Sequence, residues 1–251
     1  MSNLLKNNAY HILGLDTSAT QRDIQKRSKE IVKFIQIDDT PEYDLDLGIF
    51  DNFRTENNVK ESIQKLTSPK KQIKDYFFWF NISDEVDEKA VSILRKKDSD
   101  GAIKVWEQNS DTDSSKAMFY KKNLAILYCI LLFKEDNKQY LKKSLQIWHE
   151  LINSQKFWSA FTKIYKHNDE LDTDQEIISD FHKNVASYIS DLYTEISHAR
   201  NDDGYIAEFT KTFNLRGEKT EKVVMAPIFH EITEAVEKLE AMKVSEDGVL
   251  D

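Results

Sequence analysis

Glycine and proline are scarce in this chain: its 251 residues include only 6 Gly and 3 Pro. Sheet proteins spend both residues on turns, while helix interiors exclude them, so the scarcity argues for an all-α fold. Cysteine occurs once, at Cys129, which excludes an intrachain disulfide. It lies in the apolar run Leu124–Phe133 with no base beside it, the setting of a buried, inert thiol. That run is the longest apolar stretch, and a membrane-spanning helix needs about 20 residues. Met1-Ser2-Asn3-Leu4-Leu5-Lys6 lacks an apolar core of signal-peptide length. Both absences predict a cytoplasmic protein with no membrane partner. Basic charge is also short, since 35 Lys and Arg face 44 Asp and Glu for a net charge of -9. A nucleic-acid binder usually shows a basic footprint, and none dominates here, which leaves room only for local basic faces.

Recognisable chemistry is missing too. The six glycines are scattered, so no glycine-rich phosphate loop exists. His11, His149, His167, His182, His198 and His230 are dispersed without zinc-ligand spacing. His230 and Glu234 share a helical face, but the second histidine of a zinc-protease motif is absent, so an ordinary intrahelical contact is expected. His167-Asn168-Asp169 has no partner cluster and reads as a loop. With 44 acidic residues, no carboxylate pair stands out for acid–base work. These features predict no cofactor, no metal and no catalytic residues.

What is present is a large potential core. Hydrophobic residues make up 40% and aromatics 11% of the chain, enough for one or two domains. A short helix is expected from Asn7 to Leu15, stopped at Gly14 by its tolerance of left-handed backbone. Asp16-Thr17-Ser18-Ala19-Thr20 then offers N-cap side chains. Ile24, Ile31, Phe34 and Ile35 line one face of a helix from about Ala19 to Gln36. Its other face carries Arg22, Lys26, Arg27, Lys29 and Lys33. Residues 40–54 break the pattern with Pro41, Gly48 and the acids Glu42, Asp44, Asp46 and Asp51. The apolar residues Leu45, Leu47, Ile49, Phe50 and Phe53 should anchor this loop. Helix resumes from about Thr55 to Leu66, and Thr67-Ser68-Pro69 ends it and starts the next, with Pro at a first-turn position. Tyr76 to Phe80 make that next helix apolar over much of its circumference.

Further helices are expected near residues 87–95, 98–109, 114–133, 138–152, 155–165, 174–200, 204–213 and 219–242. Ala102-Ile103-Lys104-Val105-Trp106-Glu107 aligns with Ser144-Leu145-Gln146-Ile147-Trp148-His149, a spacing of 42 residues. Small-apolar-x-apolar-Trp is similar to the packing pattern of tetratricopeptide-type helical hairpins. The stripe Ile177, Ile178, Phe181, Val185, Tyr188, Ile189, Leu192, Tyr193 and Ile196 must be covered, by neighbouring helices or by a partner. The acidic end, residues 244–251, should fray.

Three segments in order resemble the J-domain family. Asn8-Ala9-Tyr10-His11-Ile12-Leu13-Gly14-Leu15 resembles that family's opening helix, and Ala19–Lys26 the start of its second. Ser62–Tyr76, with Leu66-Thr67-Ser68-Pro69 at its centre, resembles the junction of its third and fourth helices. The resemblance implies a J-like module over residues 1–82, followed by a tetratricopeptide-like array of antiparallel helical hairpins over residues 83–243. It also implies a DnaK-type chaperone as partner, stimulated through a His-Pro-Asp loop and docked on the basic face of the second helix. Here Gln36, Ile37 and Asp38 occupy the tripeptide's position. Gln cannot become an imidazolium, and Ile does not fix the backbone as Pro does. Normal chaperone stimulation is therefore not expected.

Three readings follow. The first is a non-catalytic interaction or scaffold protein, with a peptide groove formed by Trp106, Trp148, Trp158 and Tyr165. The aromatic density of Phe157, Trp158, Phe161 and Tyr165 suggests that groove, although their helical spacing also suits a core. The second is an atypical co-chaperone that docks a DnaK-type chaperone through Arg22, Lys26, Arg27, Lys29 and Lys33. The third is an enzyme whose site is assembled from residues distant in sequence, which would show as a deep polar pocket.

Overall fold

The computed structural model describes residues 4–51, 53–112, 114–165 and 171–214. Among them lie eleven helices and no strand. The expected helix over 219–242, the pair His230 and Glu234, the loop His167-Asn168-Asp169 and the acidic end 244–251 fall outside the described residues.

Helices α1 (Ala9–Leu13), α2 (Gln21–Ile35), α3 (Glu56–Leu66) and α4 (Pro69–Phe77) form the N-terminal part. Their ends follow from local chemistry. Asn8 caps α1, and Gly14 closes it at φ 60 with its N–H donated to the His11 carbonyl. Thr20 and Asp23 form a reciprocal capping box at the start of α2. Thr55 caps α3, and Pro69 occupies the first turn of α4. Helix α1 packs mainly on α3, and α2 lies along α3. The buried faces Tyr10, Ile12, Leu13, Ile24, Ile31, Val59 and Leu66 meet between them.

Three hairpin-forming pairs follow: α5 (Glu85–Leu94) with α6 (Ser99–Ser110), α6 with α7 (Ser115–Lys134), and α7 with α8 (Lys138–Asn153). The connections are a few residues long, which forces neighbouring helices antiparallel. Helices α9 (Gln155–Ile164), α10 (Leu171–Arg200) and α11 (Gly204–Thr212) complete the fold. Helix α7 is buried on nearly every side and forms the central axis. The apolar stripe of α10 is covered by α4, α7, α8, α9 and α11, its own neighbours.

The 42-residue internal similarity has a structural counterpart. Ala102 and Ser144 are fully buried at equivalent places, as are Trp106 and Trp148. Each indole N–H reaches the residue nineteen positions before it. Trp106 donates to the Asp87 carboxylate at 2.9 Å and Trp148 to the Cys129 sulfur at 3.5 Å. The small residue lets the helices approach, and the tryptophan fills the space one turn later.

No gap in the core falls at residue 82. Phe77, Phe78, Trp79 and Phe80 are fully buried, and the Phe77 ring packs against Trp148, Phe157, Trp158, Phe161 and Phe181. Fully buried Lys122 of α7 donates to the carbonyls of Phe77, the last residue of α4, and of Trp79 just after it. Asn81 and Asn123 exchange hydrogen bonds at 3.0 and 2.8 Å. The N-terminal helices and the hairpins thus share one continuous core.

Candidate docking surface

Four aromatic residues were the sequence's candidates for a peptide groove, and the structure corrects that assignment. Trp106, Trp148 and Tyr165 are fully buried, and their polar atoms are spent internally. The Tyr165 hydroxyl donates to the Pro69 carbonyl at 2.5 Å. Only Trp158 reaches the surface, at 8% exposure. Its ring stacks on His182 at 4.1 Å, and its N–H donates to the Ile152 carbonyl. Helical spacing places these rings on inward faces, where an aromatic side chain buries about 150–250 Å² and packs as core.

The segment between α2 and α3 has an organising residue that composition did not reveal. Arg54 is buried beneath it and uses all five of its N–H donors. Its Nε donates to the Ile12 carbonyl at 2.8 Å. One terminal nitrogen donates to the Pro41 carbonyl and Asp46, at 2.8 and 2.6 Å. The other donates to the His11 carbonyl and Asp46, at 3.1 and 2.5 Å. The planar fork therefore ties residues 41–46 to the buried carbonyl end of α1. Tyr43 then lies over Gly14, where an added Cβ would meet its ring at 2.1 Å. An Arg in a loop rich in Asp was the available signal.

Arg27, assigned from sequence to the docking face, is half-buried under this loop. It donates to the Gly14 carbonyl at 3.0 Å, pairs with Glu30 at 3.5 Å and lies 4.0 Å from the Tyr43 ring centroid. It is a structural residue, because the loop folds back onto the helix side that carries it.

The other four basic residues remain exposed: Arg22, Lys26, Lys29 and Lys33. None forms an ion pair among the described residues, in contrast to Lys60, Lys116, Lys121, Lys138 and Lys143, each paired with an acid. Lys26, Lys29, Glu30, Lys33, Phe34 and Ile37 line a shallow groove along one face of α2. Ile37 is 71% exposed, the most exposed large apolar side chain among the described residues.

Gln36, Ile37 and Asp38 form the closing turn of α2, and all three are exposed. The N–H of Asp38 bonds to the Ile35 carbonyl at 3.1 Å, and that of Asp39 to the Phe34 carbonyl at 3.0 Å. Asp38 has φ 55, the left-handed position that glycine usually fills at such an ending. The backbone turn that sequence reasoning found no residue to impose comes from Asp38, which tolerates this region better than most side chains. Ile37, one turn after Lys33, is left in solvent.

Among the described residues no group of three His, Cys, Asp or Glu side chains is placed to hold a metal. The buried acid Asp87 accepts hydrogen bonds from Ser83, Trp106 and Asn123, and burial raises its pKa. Burial likewise lifts the Cys129 thiol to about 11, which keeps it protonated and unreactive. No described helix is long and apolar enough to cross a membrane. Comparison with protein-family models, curated proteins and solved structures finds no match in any of the three.

Proposed function

We propose that this chain is a non-catalytic protein-interaction protein whose N-terminal part is a degenerate J-like module. One observation carries the reading. In a chain of net charge -9, Lys26, Lys29 and Lys33 have no ion pair among the described residues and stand beside an exposed Ile37 on one face of α2. Such a face favours an acidic protein surface with an apolar anchor point, since complementary charge steers encounter and the buried side chain holds the complex. Docking needs no covalent chemistry, and we assign the chain none.

A second reading has its own support. The docking face adjoins the turn at Gln36, Ile37 and Asp38, and the short α1, the paired α2 and α3, and α4 follow one another in J-domain order. An atypical co-chaperone would engage a DnaK-type chaperone through this face, with Asp38 as the remaining residue of the tripeptide.

The test uses the full chain with a purified DnaK-type chaperone, measuring binding and ATP hydrolysis together. The variants are Lys26→Glu/Lys29→Glu/Lys33→Glu and Gln36→His/Ile37→Pro. Binding lost in the first variant and hydrolysis raised by the second would establish the co-chaperone reading. No binding to the chaperone, with a different protein retained from native lysate only by unaltered α2, would establish the interaction reading alone. Partners that bind equally well to the charge-reversed chain would remove α2 from the account.

A further inference from the structure

A second basic surface lies where α3, α4 and α10 meet, in a cleft of about 550 Å³. Lys65, Lys70, Lys71 and Lys74 stand around it, against two acids, Glu61 and Asp75. Leu4, Ile73, Phe181 and Tyr188 supply its apolar lining. The chain builds this cleft from distant segments: residues 4–7, 61–75 and 181–188 come together only because α10 packs across α4.

The lysines divide into two pairs. Lys65 donates to the Asn7 carbonyl at 3.3 Å, and the Lys74 ammonium lies 4.5 Å from the Tyr188 ring centroid. These two are positioned by the fold. Lys70 and Lys71, in the first turn of α4, are exposed and have no ion pair among the described residues. Four lysines outnumber the two acids here. Asp75 is buried, with one oxygen accepting from the Ala9 N–H at 3.0 Å, and burial raises its pKa toward the neutral form.

We propose that this cleft binds an acidic peptide segment of a protein partner, with carboxylates on the lysine rim and an apolar side chain against Phe181, Ile73 and Tyr188. Charge complementarity selects the acidic partner, because four cations converge in a chain that is acidic overall. The apolar lining selects a peptide over a bare anion, since a phosphate or sulfate gains nothing from aromatic and aliphatic walls. The site is separate from the face of α2 and does not depend on the partner proposed there.

The probe is a fluorescein-labelled peptide of about twelve residues alternating Asp or Glu with Leu or Phe. Fluorescence anisotropy with the full chain reads its binding. The amide-replaced peptide, with Asn and Gln for the acids, serves as control, as do inorganic phosphate and anionic phospholipid vesicles. The expected result is saturable binding that the amide-replaced peptide lacks. Lys70→Glu/Lys71→Glu should weaken it at least about tenfold, since two exposed charges change sign without disturbing the core. Lys104→Glu/Lys142→Glu, two exposed lysines outside both basic surfaces, should leave it unchanged. Circular dichroism confirms that both variants fold. Absence of binding, equal binding by the Lys70/Lys71 variant, or an equal loss in the Lys104/Lys142 variant would overturn the proposal. So would a preference for phosphate or vesicles over the peptide, which would make the cleft an ion or lipid site.

Discussion

His11 should make the stability of this protein fall as the solution is acidified below neutrality. Its ring is buried at 1% exposure, stacked on Phe53 at 4.0 Å and close to Phe50 and Trp79. Nδ1 lies 2.8 Å from the Lys6 carbonyl, so the neutral ring carries its proton there. Nε2 is buried without a hydrogen-bond partner. Burial lowers the pKa from 6.5 to about 4, and the nearby Arg54 guanidinium acts in the same direction. The unfolded chain therefore takes up a proton near pH 6.5 and the folded chain only near pH 4. Stability from the neutral ring is complete above pH 6.5 and is lost as pH falls through that window. At about 1.36 kcal/mol per pKa unit the full loss is about 3 kcal/mol, of which about 2 kcal/mol has gone by pH 5. Urea denaturation from pH 7.5 to 4.5, on the native chain and on His11→Phe, measures it. Subtracting the two curves removes the carboxylates, including Asp75 and Asp87, whose raised pKa values act oppositely. Parallel curves, or an imidazole that titrates near 6.5 by NMR, would refute the reasoning.

Four further outcomes are expected. Arg54→Lys loses the five-donor fork and should cost about 2–4 kcal/mol by urea denaturation, because Asp46 and three carbonyls lose donors. The double change Arg54→Met/Asp46→Leu should cost less than Arg54→Met alone, which leaves the acid unpaired. Trp106→Phe should destabilise by about 1–2 kcal/mol more than Trp148→Phe, because the first indole serves a buried carboxylate and the second a thiol sulfur; equal Tm shifts would contradict this. Gly14→Ala should cost at least about 2 kcal/mol, combining left-handed strain with displacement of Tyr43, and a chevron or equilibrium melt reads it directly.

Much of the architecture was legible because helices are local. Spacings of three and four marked the buried faces, Gly14 and Pro69 marked ends, and the two tryptophans 42 residues apart marked equivalent hairpins. The same locality concealed the candidate sites. Spacing puts Lys26, Lys29 and Lys33 on one face but also puts Arg27 near them. Only the return of residues 40–54, through Tyr43, shows that Arg27 is used internally. Aromatic density drew attention to Trp106, Trp148 and Tyr165, and density alone cannot separate a groove from a core.

Composition and local spacing were enough for the all-α class, most helix positions and the excess of acid over base, since each depends on residues near one another or on residue counts. The other features come from contacts between distant segments. Arg54 reaches α1 from 42 residues away, Lys122 meets the end of α4 from 45 away, and the lysine cleft needs α10 lying on α4. Such contacts depend on how helices dock, and docking is set by the summed fit of whole faces. No single residue or spacing carries that sum, which is why the clamp, the shared core and the cleft appear only when the chain is folded.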